Sequence, residues 1–134
     1  MSREQNMQAQ EKLGQLIADR EVDRFGEVFA EDVVDHDPAP AQAPGVRGIQ
    51  DFWVQFLAGF PDAALNTEAL VADDEHVTVV LTITGTHDGE FQSIEPTGTR
   101  IAVRGIQVAR FENGLIVERW GSTDEAGLLK QLGA

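Results

Sequence analysis

Ile101-Ala102-Val103-Arg104-Gly105-Ile106-Gln107-Val108-Ala109-Arg110-Phe111, followed by Glu112-Asn113-Gly114 and then Leu115-Ile116-Val117-Glu118-Arg119-Trp120, reads as a strand, a tight turn and a strand running back. The first run is rich in β-branched and aromatic residues, and Asn and Gly at the turn tolerate positive φ. Alternation along the second run puts Ile116, Glu118 and Trp120 on one face and Leu115, Val117 and Arg119 on the other. Each face therefore mixes apolar with charged groups, the pattern expected of a sheet that bounds a cavity. Asp124 follows at the head of a short amphipathic stretch.

Working outward, Met7, Leu13, Leu16 and Ile17 recur at helical spacing and predict an amphipathic helix over Glu4 to Asp19. Val22, Phe25, Val28 and Phe29 predict a second, shorter helix packed on the first. Val33-Val34 predicts a brief strand before Asp35-His36-Asp37-Pro38. The segment onward through Pro40, Pro44 and Gly45 holds too much proline for a helix or an interior strand, and a mobile flap is expected there. From Gly48 to Gly59 the helical signal is strongest, because Ile49, Phe52, Trp53, Phe56, Leu57 and Phe60 fall on one stripe. Phe60-Pro61-Asp62 ends it, since proline disfavours the helical conformation of the residue before it.

Leu65–Ala72 and Val77–Thr86 predict strands joined by the turn Asp73-Asp74-Glu75. Val77, Val79, Leu81 and Ile83 make one face of the second strand wholly apolar. Between His87 and Arg100, turns are expected at Asp88-Gly89 and Pro96-Thr97-Gly98, with Phe91 and Ile94 in a short strand between them. Leu128, Leu129 and Leu132 predict a terminal helix closed by Gly133. Helices first and an antiparallel run of about four to six strands afterwards argue an α+β fold, helices on one side of a curved sheet, in a single domain over residues 1–134.

Twenty-three acidic against ten basic residues give a formal net charge of −13, which disfavours nucleic acid and anionic membranes as partners. With no cysteine, disulfide and thiolate chemistry are excluded. The polar Met1-Ser2-Arg3-Glu4-Gln5-Asn6 lacks the apolar core of a signal peptide, so a cytoplasmic location is the expectation.

Asp35-His36-Asp37-Pro38, Gly45-Val46-Arg47-Gly48 leading into a Phe/Trp helix, Phe60-Pro61-Asp62, Thr84-Gly85-Thr86-His87-Asp88-Gly89, Pro96-Thr97-Gly98, and Ile116-Val117-Glu118-Arg119-Trp120 followed by Asp124 together resemble the SnoaL-like polyketide cyclases, within the nuclear transport factor and ketosteroid isomerase-like superfamily. The resemblance implies a cone-shaped barrel, a strongly bent antiparallel sheet with N-terminal helices closing a hydrophobic pocket. It also implies an aldol-type cyclase that needs no cofactor, acts on a small hydrophobic carbonyl compound and pairs as a homodimer. In such cyclases an acidic residue shortly after the last-strand Trp is general acid and base, and Asp124 is the matching position. The other reading is that Asp124 caps the last helix. Some relatives carry a histidine or another strong polar group on the preceding strand near the cavity, where this chain offers Gln107.

Five further residues are candidates for substrate binding. His36 and His87 flank loops and suit either a pocket mouth or ordinary loop hydrogen bonding, while His76 follows a turn and is expected in solvent. Trp53 and Trp120 suit the core or a flat polycyclic substrate. Arg104 in mid-strand requires solvent or a carboxylate such as Glu118, or else faces the cavity to hold an oxyanion. Gln107 has the opposite parity and belongs on the other face. No spacing typical of zinc is present, and no metal is expected. Tyrosine is absent, which removes the phenol that ketosteroid isomerases and scytalone dehydratases use to polarise a carbonyl. Two functions remain: a cyclase-like lyase or isomerase, or a non-catalytic module that binds a hydrophobic ligand or only dimerises.

Overall fold

In the computed structural model, which describes residues 2–133, helix α1 (Arg3–Ala18) starts with a capping box. Ser2 Oγ accepts from the Gln5 amide and Gln5 Oε1 from the Ser2 amide, both at 3.1 Å, which satisfies two donors the helix leaves open. The predicted second helix is only a 3-10 turn, Val22–Glu27, and Phe29 leaves it to open strand β1 (Phe29–Asp35). A run holding Phe29, Val33 and Val34 suits a pleated strand, and pairing in parallel with a later strand gives its backbone groups partners that a short helix would leave unmet.

Helix α2 (Gly45–Gly59) begins at Gly45, with Pro44 at its N-cap, and buries Ile49 and Phe56. Strands β2 (Ala64–Ala72), β3 (His76–Thr86), β4 (Arg100–Glu112) and β5 (Leu115–Thr123) follow, then helix α3 (Glu125–Gln131). Within the expected loop, Phe91 and Ile94 make an isolated antiparallel bridge rather than a strand of the sheet.

The sheet order is β1-β5-β4-β3-β2, with β1 parallel to β5 and the remaining pairs antiparallel. This is the α+β fold expected, with a curled sheet that stays unclosed and has β1 and β2 as its edges. The predicted parity of β5 fails at one place. Phe111 pairs with Ile116 while Arg110 pairs with Glu118, so Val117 is an extra residue. Such a bulge re-aims the chain. Ile116 joins the buried inner set, Glu118 and Trp120 face outward, and Arg119, Gly121 and Thr123 face inward.

On the inner face, Val77, Val79, Leu81, Ile83, Val103 and Ile116 meet Leu16 and Ile17 of α1, Phe25 of the 3-10 turn and Ile49 and Phe56 of α2 in one core. Burying each such side chain contributes roughly 1.5–3 kcal/mol. Phe56, Phe60 and Phe91 stack and abut with centroids 5.0–5.7 Å apart, fastening the β3–β4 loop to the end of α2. Among the described residues, no helix is long and apolar enough to cross a membrane.

Candidate active site

Between the inner sheet face and the helices lies a cavity of about 660 Å³. Phe52, Trp53 and Phe56 of α2, Leu65 and Leu70 of β2, Leu81 and Ile83 of β3, and Leu128 and Leu129 of α3 supply much of its apolar wall. Asp35, Asp37, Gln42, Gln107, Arg119, Gly121 and Thr123 interrupt that wall with polar groups.

The polar groups arise from three elements brought together by the sheet. Asp35 ends β1 opposite Arg119 in the parallel ladder, and Gln107 lies on β4 opposite Gly121 of β5. Arg119 Nη1 donates to Asp35 Oδ1 at 2.6 Å, with 20% of the arginine side chain and 8% of the aspartate side chain exposed. The other arm of the guanidinium, Nη2, donates to Gln107 Oε1. An arginine only donates, so this contact assigns the amide: its oxygen faces Arg119 and its NH2 is left over. The Asp37 amide also donates to Asp35 Oδ1 at 3.0 Å, and Gln42 Nε2 donates to Asp35 Oδ2 at 2.8 Å. Gln42 belongs to the proline-rich segment, so that segment is fastened to the carboxylate. The Gly121 amide donates to Asp37 Oδ2 at 2.9 Å. A Cβ at Gly121 would lie in the space taken by Arg119 Nη2 and Gln107 Oε1, so the arginine can fold back onto Gln107 only because this residue has no side chain.

Of the residues nominated from sequence, Trp53 lines the cavity, with its ring edge-on to Phe56 at 5.6 Å. Asp124 does not. Strand β5 runs on to Thr123, and the Asp124 amide closes the ladder by donating to Arg104 O at 3.0 Å. The Asp124 carboxylate then turns back to accept from the Gly127 amide at 2.8 Å, so it is an exposed cap of α3 and the expectation of a buried base there is corrected. Arg104 is exposed on the outer face and pairs with Glu68 at 3.4 Å, not with Glu118, because the register sets Glu118 opposite Arg110, further along β4.

His36 and Trp120 also lie on the outer face, stacked at 4.8 Å with an 11° interplanar angle. His36 Nε2 contacts Glu118 Oε2 at 2.7 Å, and Arg110 Nε donates to Glu118 Oε1 at 2.6 Å. These bonds from His36 and then Arg110 hold the Glu118 carboxyl below its ordinary range. His87 is fully buried under its own loop rather than opening on the cavity. Its Nδ1 accepts from the Thr97 amide at 3.2 Å, its ring stacks on Phe60 at 5.3 Å, and its Nε2 has no partner among the described residues. Among the described residues, no three His, Asp or Glu side chains cluster as metal ligands would.

Asp35, Gln42, Arg119 and Thr123 were not nominated from sequence. The available signal is Arg119 itself: a mid-strand arginine needs a carboxylate, just as Arg104 does.

Comparison with known proteins agrees with this architecture. No curated protein matches the chain by sequence. Among solved structures, TsrD from Streptomyces laurentii superposes with a TM-score of 0.90 at 23% identity, covering 100% of this chain and 98% of that one. IdmH from Streptomyces antibioticus, named as a candidate polyketide cyclase, gives a TM-score of 0.82 at 27% identity, covering 96% and 99%. AclR from Streptomyces galilaeus, named as a candidate hydroxylase, gives 0.86 at 23%, covering 98% of each chain. The sequence model of the SnoaL-like polyketide cyclases matches residues 7–132. With nearly its whole length matched, the chain belongs to the SnoaL-like polyketide cyclase family.

Proposed function

We propose that this chain is a polyketide or ester cyclase-like enzyme that holds a hydrophobic carbonyl compound in the cavity and, without a cofactor, moves a proton with Asp35. The observation that supports this reading is a carboxylate, 8% exposed, at the wall of a largely apolar cavity and beside a guanidinium at 2.6 Å. The acid/base role expected of Asp124 passes to Asp35 because the Asp124 carboxylate is engaged at the helix cap.

A carboxylate offers about four acceptor positions. Arg119 and the Asp37 amide engage Oδ1, and Gln42 engages Oδ2, which leaves one position on Oδ2 for a proton. A carbon between two carbonyls is acidic enough for a carboxylate to deprotonate. In the aldol closure, the resulting enolate carbon forms the new C–C bond at a second carbonyl carbon, and Asp35 returns the proton to the oxygen of that carbonyl. The apolar walls contribute by folding the substrate so that the two carbons meet. IdmH, at 27% identity, lends support to the reaction class.

A second reading, a ligand-binding module without turnover, draws on the same bonds, because a carboxylate that already accepts from three donors is also suited to pure scaffolding. The probe that separates them is 2-tetralone in D2O, followed by NMR for deuterium entering the α-position. Exchange in the wild type and in Asp124→Asn, lost in Asp35→Asn, is the expected result. Binding of 2-tetralone with no exchange above buffer would favour the module.

A further inference from the structure

Gly105 stands in the middle of β4, opposite Leu81 on β3 and Thr123 on β5, and is buried on the inner face. A side chain there would be the natural continuation of the cavity wall. Its absence leaves a gap, and the point where a Cβ would stand lies 3.3 Å from Thr123 Oγ1, 3.5 Å from Leu81 Cδ1 and 3.7 Å from Gln107 Nε2. One recess is therefore flanked by a hydroxyl and an amide NH2, with a methyl group beside them.

Both polar groups are unspent. Gln107 receives Arg119 on its oxygen, so its Nε2 hydrogens are the free end, and neither Nε2 nor Thr123 Oγ1 is engaged in a hydrogen bond among the described residues. Gln107 and Thr123 are both half-buried and line the mostly apolar cavity, where an acceptor on a ligand would meet them. The guanidinium fixes the amide in advance, so donation to a ligand involves no reorientation at the moment of binding.

We infer that Gln107 Nε2 and Thr123 Oγ1 form a two-donor seat for a carbonyl oxygen in the recess over Gly105. The inference rests on the reading that the ligand is an apolar carbonyl compound, and it names the groups that orient and polarise that carbonyl. Withdrawing electron density onto the seated oxygen acidifies the adjacent C–H. Gln107 is thus a substrate-contacting residue, and Arg119 is the positioning residue that aims it.

The test uses carbonyl-13C-labelled 2-acetylnaphthalene and, as a shape control without the oxygen, 2-ethylnaphthalene. Calorimetry gives the affinities, and infrared difference spectra give the carbonyl band of the bound ketone. In the wild type the band is expected below its position in alkane solvent. Thr123→Val should weaken ketone binding about fivefold, the loss of one neutral hydrogen bond, move the band upward and leave 2-ethylnaphthalene binding unchanged. Thr123→Ser should restore both, and Gly105→Ala should weaken the ketone more than the hydrocarbon. A wild-type band at the alkane position, or a Thr123→Val protein with unaltered ketone affinity and band, overturns the seat, and so does a wild type that does not bind the ketone at millimolar concentration. A shifted band in a wild type that shows no 2-tetralone exchange supports the seat and refutes the proton-transfer role alone, so the two failures are distinguishable.

Discussion

Replacing Arg119 by methionine removes the group that ties Asp35 on β1 to Gln107 on β4 while keeping a comparable apolar stem. Breaking a buried ion pair by deleting one partner costs about 3–5 kcal/mol, because the remaining charge loses its counter-charge. Asp35 keeps two donors, Gln42 Nε2 at 2.8 Å and the Asp37 amide at 3.0 Å, and the arginine was already 20% exposed, so the cost belongs at the lower end. Roughly 3 kcal/mol is expected. For a domain of this size that lowers Tm by about 10 °C. Urea unfolding at pH 7 of wild type, Arg119→Met, Asp35→Asn and the double variant measures it as a cycle. Removing both charges should recover part of the loss, leaving a coupling of about 1–2 kcal/mol. Arg119→Met as stable as the wild type, or a double variant whose losses simply add, would refute the view that the pair holds the site together.

Asp124→Ala should cost about 1 kcal/mol through loss of the α3 cap, whereas Asp124→Asn, which keeps a capping oxygen, should be near neutral in urea titrations. On the outer face, the folded-state carboxyl of Glu118 lies below its ordinary range because of His36 and Arg110, so it binds its proton less readily folded than unfolded. Its contribution to stability is complete above the ordinary glutamate range and is lost as pH falls through the folded value. Stability measured from pH 6 to pH 3 should therefore decline, with a shallower decline in Glu118→Gln; a wild type that gains stability across that interval would contradict the assignment. Val34 and Ile106 are 49% and 42% exposed on the same face as Trp120, and if this face pairs two copies, Ile106→Glu should convert a sedimenting dimer to monomer.

Much of the fold was legible because the residues carry periodicities that only one structure satisfies. The Phe/Trp stripe of α2 and the Val77-Val79-Leu81-Ile83 face of β3 could be read directly, and both lie where expected. Val22 to Phe29 misled because apolar residues at three- to four-residue intervals fit a helix and also fit a 3-10 turn running into a strand. The choice was made by pairing with β5, more than eighty positions away. The same distance hid the site. Asp35 meets Arg119 only through that parallel ladder, and Arg119 points inward only because Val117 is bulged, neither of which leaves a local mark in the sequence. By sequence Asp124 suits a base and a cap alike, and the amide of Gly127 takes it as a cap. Cap chemistry is local, while entry into a cavity depends on where the strand before it ends.

In the proposed mechanism Asp35, and not Asp124, faces the bound carbonyl compound. A crystal structure of the protein with 2-tetralone measures this most directly. The ligand is predicted inside the cavity against Trp53, with its α-carbon in van der Waals contact with Asp35 Oδ2 and its oxygen within hydrogen-bond distance of Gln107 Nε2. Ligand density confined to the surface beside Asp124, or a ligand in the cavity whose α-carbon lies away from Asp35, would contradict it.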